Sequence, residues 1–84
     1  MIFKIFVVYD SKAGFYNKPF FEQSTGLAVR GFSDACNDKD TQLFKHASDF
    51  TLFEIGEFDS QSGVIDMYDA FQSLGVGTTF KEEV

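Results

Sequence analysis

Residues 2–9 read IFKIFVVY, a run of β-branched and aromatic residues with one charge, Lys4. Side chains alternate along a strand, so Phe3, Ile5, Val7 and Tyr9 face one way and Ile2, Lys4, Phe6 and Val8 the other. Apolar groups on both sides predict a central strand, or one covered by a partner. Next comes DSKAG at 10–14, where Asp, Ser and Gly together predict a turn. Residues 15–22, FYNKPFFE, hold the only proline, Pro19. Proline has no N–H to donate, so this segment is expected as an edge strand or an extended loop, its aromatics packed down on the core.

The hydrophobic period then changes. Ser24 or Thr25 is suited to cap a helix. Ala28, Phe32, Ala35 and Cys36 follow at helical spacing, with Arg30, Ser33, Asp34 and Asn37 on the opposite side, so residues 25–37 are predicted as the main helix. Gly31 weakens that helix by about 1 kcal/mol relative to alanine and is expected where the backbone approaches the sheet. Residues 38–49 read as a polar loop anchored by Leu43 and Phe44, with a short helical turn near Ala47. FTLFEIGEFD at 50–59 is a second strand, DSQSG at 59–63 a hairpin connection, and 64–68 the returning strand. LGVGTTF at 74–80 is expected as a short fourth strand, and 81–84 as a charged tail. The expected fold class is α+β, with one helix packed on a small, mainly antiparallel sheet of three to four strands. Residues 1–80 form a single domain.

Composition narrows the function classes. Eighty-four residues bury only about 60% of the surface the unfolded chain exposes, so such a domain leans on staples, a partner or a rich aromatic core. One cysteine excludes an internal disulfide, and one cysteine with one histidine argues against a structural metal. Twelve Phe and three Tyr supply the packing. The net charge of −6 argues against a generic nucleic-acid coat, because phosphate binding scales with the number of cations. No run of about 18 apolar residues is present, so no membrane helix is expected, and the apolar start lacks the features of a signal peptide. The lone thiol suits a reducing compartment.

The charges are unevenly spread. Ten of the thirteen acids lie from Asp38 onward, whereas the first 33 residues carry four bases against two acids. Lys12, Phe15, Tyr16, Lys18 and Phe20 interleave cation and ring within nine residues. Single-strand binders combine a cationic groove with rings on which bases stack. Lys12, Phe15, Tyr16, Lys18, Arg30 and Lys45 are therefore the candidate nucleic-acid-binding residues, the lysines and Arg30 on phosphates and Phe15 and Tyr16 on bases. Phe15, Tyr16, Phe20 and Phe21 have a second reading as core.

Other constellations are weaker. Cys36 and His46 are the only nucleophile–base couple, but Cys36 lies on the apolar helix face near its C-terminal end, where the dipole disfavours a thiolate. Asp34, Asp38 and Asp40 hold fragments of a calcium loop without its central Gly and closing Glu. Glu54 and Glu57, three apart, fall on opposite faces of a regular strand and form no dyad. Gly75-Val76-Gly77 lacks the phosphate-loop lysine. No catalytic residue, cofactor or metal site is expected.

Several segments together carry a family likeness: VYDSKA at 8–13, PFF at 19–21, STG at 24–26 followed by Ala28, Arg30 and Phe32, then Asp34, Asn37 and Asp38, FKH at 44–46, DFTLFEIGEFD at 49–59, Gly63, and SLGV at 73–76. As a set they resemble the small nonstructural protein of gokushoviruses, single-stranded DNA phages of the Microviridae, over residues 2–76. Ala47 stands where members often have proline, and the ending GTTFKEEV differs from theirs. The resemblance implies a phage protein of the host cytoplasm, absent from the virion and acting around single-stranded genome replication or packaging. Two functions follow as expectations. One is nonenzymatic single-stranded DNA binding. The other is an acidic protein-interaction module that engages a host or phage replication protein. No membrane partner is expected. The doubly apolar first strand makes a homodimer a further expectation.

Overall fold

In the computed structural model, which describes residues 1–82, β1 (Ile2–Asp10) is the strand on which the rest of the sheet is built. One side of β1 pairs antiparallel with β4 (Phe50–Asp59) along its whole length. Its other side pairs with two short strands, β2 (Phe15–Tyr16) and β3 (Phe20–Glu22). β4 in turn pairs with β5 (Ile65–Val76), which gives the order β2-β1-β4-β5 with β3 beside β1. All pairings are antiparallel, so the fold is α+β as expected, but the described residues form five strands rather than three to four. Two of the five arise because residues 15–22 pair twice, with an interruption between the two pairings that contains Pro19.

α1 (Thr25–Cys36) packs on one face of the sheet. Ser24 is its N-cap and accepts a hydrogen bond from the Leu27 amide. The core beneath is built from Phe6 and Val8 of β1, Phe50 and Leu52 of β4, and Ala28, Phe32 and Cys36 of α1. Burial of roughly 2 kcal/mol per large apolar side chain makes this layer the main stabiliser. Gly31 does not approach the sheet. It is exposed, and a Cβ there would meet nothing within 4 Å. Two further helices, α2 (Gln42–Lys45) and α3 (Gly77–Phe80), are single turns, and a 3-10 turn spans Ala47–Asp49. The expected fourth strand at 74–80 is thus the end of β5 followed by α3. The returning strand runs on to Val76, well past Tyr68.

The register of β4 shifts between its pairings with Phe6 and Ile5. Glu54 pairs with Phe6 and Glu57 with Lys4, so both glutamates lie on the α1 side, not on opposite faces. The bulge at Ile55 supplies the missing half-period. Close to it, Gly56 lies directly against β5: a Cβ would stand 2.5 Å from the Asp66 carbonyl oxygen and 3.1 Å from Met67 Cα.

The two sheet edges differ. The β2/β3 edge is two and three residues long with Lys18 and Pro19 in the gap, whereas β5 offers twelve residues without lysine or proline. Lys81 and Glu82, read from sequence as the start of a tail, are tied to the body. Lys81 Nζ donates to the Phe44 carbonyl and stands 4.0 Å from the Phe44 ring centre, and the Glu82 amide donates to Asn37 Oδ1. The rest of that tail, residues 83 and 84, lies outside the described residues.

Candidate nucleic-acid interface

The cation–ring segment folds as the hairpin between β1 and β2. Asp10 builds its turn: its carboxylate accepts from the Lys12 and Ala13 amides, and its carbonyl accepts from the Gly14 amide. Gly14 adopts φ 79°, a conformation open to glycine. Ser11 fastens the turn to the rest of the molecule, its amide and hydroxyl both donating to the Asp49 carbonyl at 2.8 and 3.1 Å. Lys12 is thereby carried on a fixed loop and not on a free arm.

Phe15 and Tyr16 are exposed at 56% and 48%. Of the two readings, the solvent-facing one holds for both. They point to opposite faces, however. Phe15 pairs with Asp10 on the α1 side, and Tyr16 pairs with Tyr9 on the open side. Phe20, by contrast, belongs to the core layer, half-buried with its ring stacked 5.5 Å from Phe6. Lys18 is exposed in the link between β2 and β3.

Lys12 and His46 line one cleft of about 270 Å³ together with Asp10, Ala13 and Asp49. Lys45, in the last turn of α2, precedes that histidine and is exposed. Arg30 is exposed on α1, and no hydrogen bond or ion pair joins it to the hairpin. The fold thus gathers Lys12, Phe15, Tyr16 and Lys18, sets Lys45 beside a residue of the Lys12 cleft, and keeps Arg30 on a separate element. Among the described residues one ion pair occurs, Lys4 to Glu57 at 2.7 Å. Lys12, Lys18, Arg30 and Lys45 have no ion-paired carboxylate among them, although Asp10 and Asp49 share the Lys12 cleft.

Sequence reasoning found the first of two further features only at β1, and missed the second. The first is the sheet face opposite α1. The charged residues at paired strand positions, among them Lys4, Glu22, Glu57 and Asp66, lie on the α1 side, and no paired position of the open face is charged. Rings cover it in two groups: Phe3 and Phe21 around Phe58, and Tyr9, Phe53 and Phe71 around Tyr16. Beneath them Ile5, Val7 and Ile55 form a second buried cluster. Asp69, in a stretch of β5 without β4 partners, is the one acid that alternation places on this side.

The second feature is Glu54, a buried carboxylate only 4% exposed. Thr25 Oγ1 donates to one of its oxygens at 2.6 Å and the Tyr68 hydroxyl to the other at 2.5 Å. Burial, reinforced by that bond, pushes the Tyr68 phenol up from its ordinary value. The bond to Glu57 likewise raises the Lys4 ammonium. Each glutamate thus has its own partner, and they share no proton site. Cys36 is fully buried, and burial pushes its thiol up, so the thiolate is disfavoured. Among the described residues no three His, Cys, Asp or Glu side chains group to hold a metal ion, and no helix is long and apolar enough to cross a membrane.

A family model described as Phage ORF5 protein matches residues 3–80. No curated protein and no solved structure matches the chain.

Proposed function

The chain belongs to the Phage ORF5 protein family, and from that premise we propose that it is a nonenzymatic accessory protein of a gokushovirus-like phage that binds single-stranded DNA during genome replication or packaging. The observation that carries this reading is the β1–β2 hairpin and the link that follows it, where exposed Phe15 and Tyr16 stand between exposed Lys12 and Lys18 and neither lysine is ion-paired among the described residues. Lysines contact phosphates, and each stacked ring contributes about 1–3 kcal/mol per base. With two to four cations engaged the salt slope is shallow, roughly −1.4 to −2.8 for single strands. Affinity therefore rests on the rings as much as on charge.

Fluorescence anisotropy with a labelled oligonucleotide at about 50 mM salt tests this, since low salt favours phosphate binding. Binding that falls on Lys12→Glu plus Lys18→Glu supports the hairpin. No binding by the unsubstituted protein removes the proposal.

A second reading, an acidic module that engages a replication protein, is favoured by the net charge of −6 and by the two carboxylates, Asp10 and Asp49, that share the Lys12 cleft. It expects retention of a basic protein from infected cells after nuclease treatment, with no oligonucleotide binding.

A further inference from the structure

The open face breaks a rule that the rest of the fold obeys. An antiparallel sheet covered on one side only normally alternates apolar-in with polar-out. Here the outward positions are apolar too: Ile65 and Met67 are each 53% exposed, and Phe21 and Phe71 are nearly half exposed. Contiguous apolar patches of several hundred Å² on a folded chain mark interaction surfaces.

We infer that this face packs against the same face of a second copy, forming a two-fold sheet-on-sheet dimer. Size is the first argument. Four strands at about 4.8 Å spacing and ten residues at about 3.3 Å give a projected face of roughly 600 Å², close to the ~800 Å² per partner of a standard stable interface. Charge is the second. The charged paired residues lie on the α1 side, so two copies bring together faces whose paired positions are uncharged, and Asp69, in the unpaired stretch of the β5 edge, is the one acid on this side. A phosphate backbone, in contrast, finds no cation at a paired position of this face.

Shape is the third argument. Faces that meet in a two-fold dimer must be self-complementary, and ridges of ring and aliphatic chain meet this condition at the ~10 Å spacing of packed sheets. Phe53 and Phe58, on the inner strand β4, would be buried at the centre, and Phe71 reaches in from the edge strand β5. Lys12, Lys18 and Phe15 stay outside, with Tyr16 at the rim, so the dimer displays two hairpins. The inference does not depend on DNA binding and is measured without DNA.

Sedimentation velocity on the full chain, between about 1 and 100 μM, tests it in the concentration range of ordinary protein dimers. A mass that doubles with concentration is expected. Met67→Asp and Phe71→Asp should each raise the dissociation constant at least about tenfold, as a charge set into an apolar interface does, with unchanged far-UV circular dichroism. Asp34→Ala, on the exposed side of α1, should leave it unchanged. A monomer at the highest concentration overturns the inference. So does a dimer that survives both aspartates, which would place the contact elsewhere. A monomer whose oligonucleotide binding is lost on Phe71→Asp overturns it as well, and assigns the face to nucleic acid.

Discussion

The Tyr68 hydroxyl donates to the Glu54 carboxylate at 2.5 Å, and in doing so it fastens the one stretch of β5, residues 68–71, that has no partner on β4. The same carboxylate accepts from Thr25 in the first turn of α1. A single buried charge therefore ties helix, central sheet and edge strand together, and its desolvation is offset because both oxygens are bonded.

Removing the phenol tests that tie. Tyr68→Phe should cost about 1.5–3 kcal/mol, the range for hydrogen bonds to charged groups, read as a lower urea midpoint. Thr25→Ala should cost less than Tyr68→Phe, because its loss leaves the β5 anchor intact. In the double variant the two losses should not add, since they share one acceptor.

Stability should fall in alkali. Tyr68 and Lys4 both titrate higher in the folded chain, the first through burial and the second through Glu57. A raised folded-state pKa gives stability that is present in full below the unfolded value and lost as pH rises through the folded one, here above about pH 10. Urea titrations from about pH 8 to pH 11 should show the decline, and it should be shallower in Tyr68→Phe.

Two glycines should respond with opposite sign. Gly31→Ala meets open space on an exposed helix position and should stabilise by about 0.5–1 kcal/mol. Gly56→Ala drives a methyl into the β5 backbone, 2.5 Å from the Asp66 carbonyl oxygen. It should destabilise by about 1–3 kcal/mol or more, the range for overpacking. Thermal melts of the two variants suffice.

Cys36 should react with thiol reagents only when the chain opens. Its side chain is fully buried, and burial holds the thiol protonated. Modification by a disulfide reagent should therefore lag behind that of the urea-unfolded chain by orders of magnitude and speed up in variants that weaken the core.

Because Phe15 and Tyr16 lie on opposite faces, they should contribute unequally to any oligonucleotide affinity. Phe15→Ala is expected to cost about 1–3 kcal/mol of binding. Tyr16→Ala should cost less, since its ring leans on Tyr9, Phe53 and Phe71. Anisotropy titrations of the two variants decide the order.

Much of the fold was legible because local pattern and tertiary role agree. β1, α1 and β4 each carry the period of their element, and their boundaries emerge within a residue or two. Misreadings gather where one residue changes the phase. The bulge at Ile55 turns Glu54 and Glu57 to the same side, and nothing in FTLFEIGEFD apart from Gly56 marks it. Pro19 and its neighbours interrupt a strand and so hide two short ones. β5 extends past Tyr68 through DAFQSL, whose alternation is poor because four of its residues lack β4 partners. The candidate segment stood out from composition, since cations and rings share one short stretch, and the structure exposes Phe15 and Tyr16 there. Its division between two faces was not legible, because facing depends on pairing with Tyr9 and Asp10.

The unequal edges limit how far the protein can grow by strand addition. An incoming chain finds on β5 a full row of backbone groups, but at the opposite border it finds two short pieces on either side of a proline. Ribbon-like polymerisation needs two receptive borders on every unit, one to give and one to receive. Here extension through the borders of single chains ends after its first step, so strand addition by itself should yield pairs and no fibres.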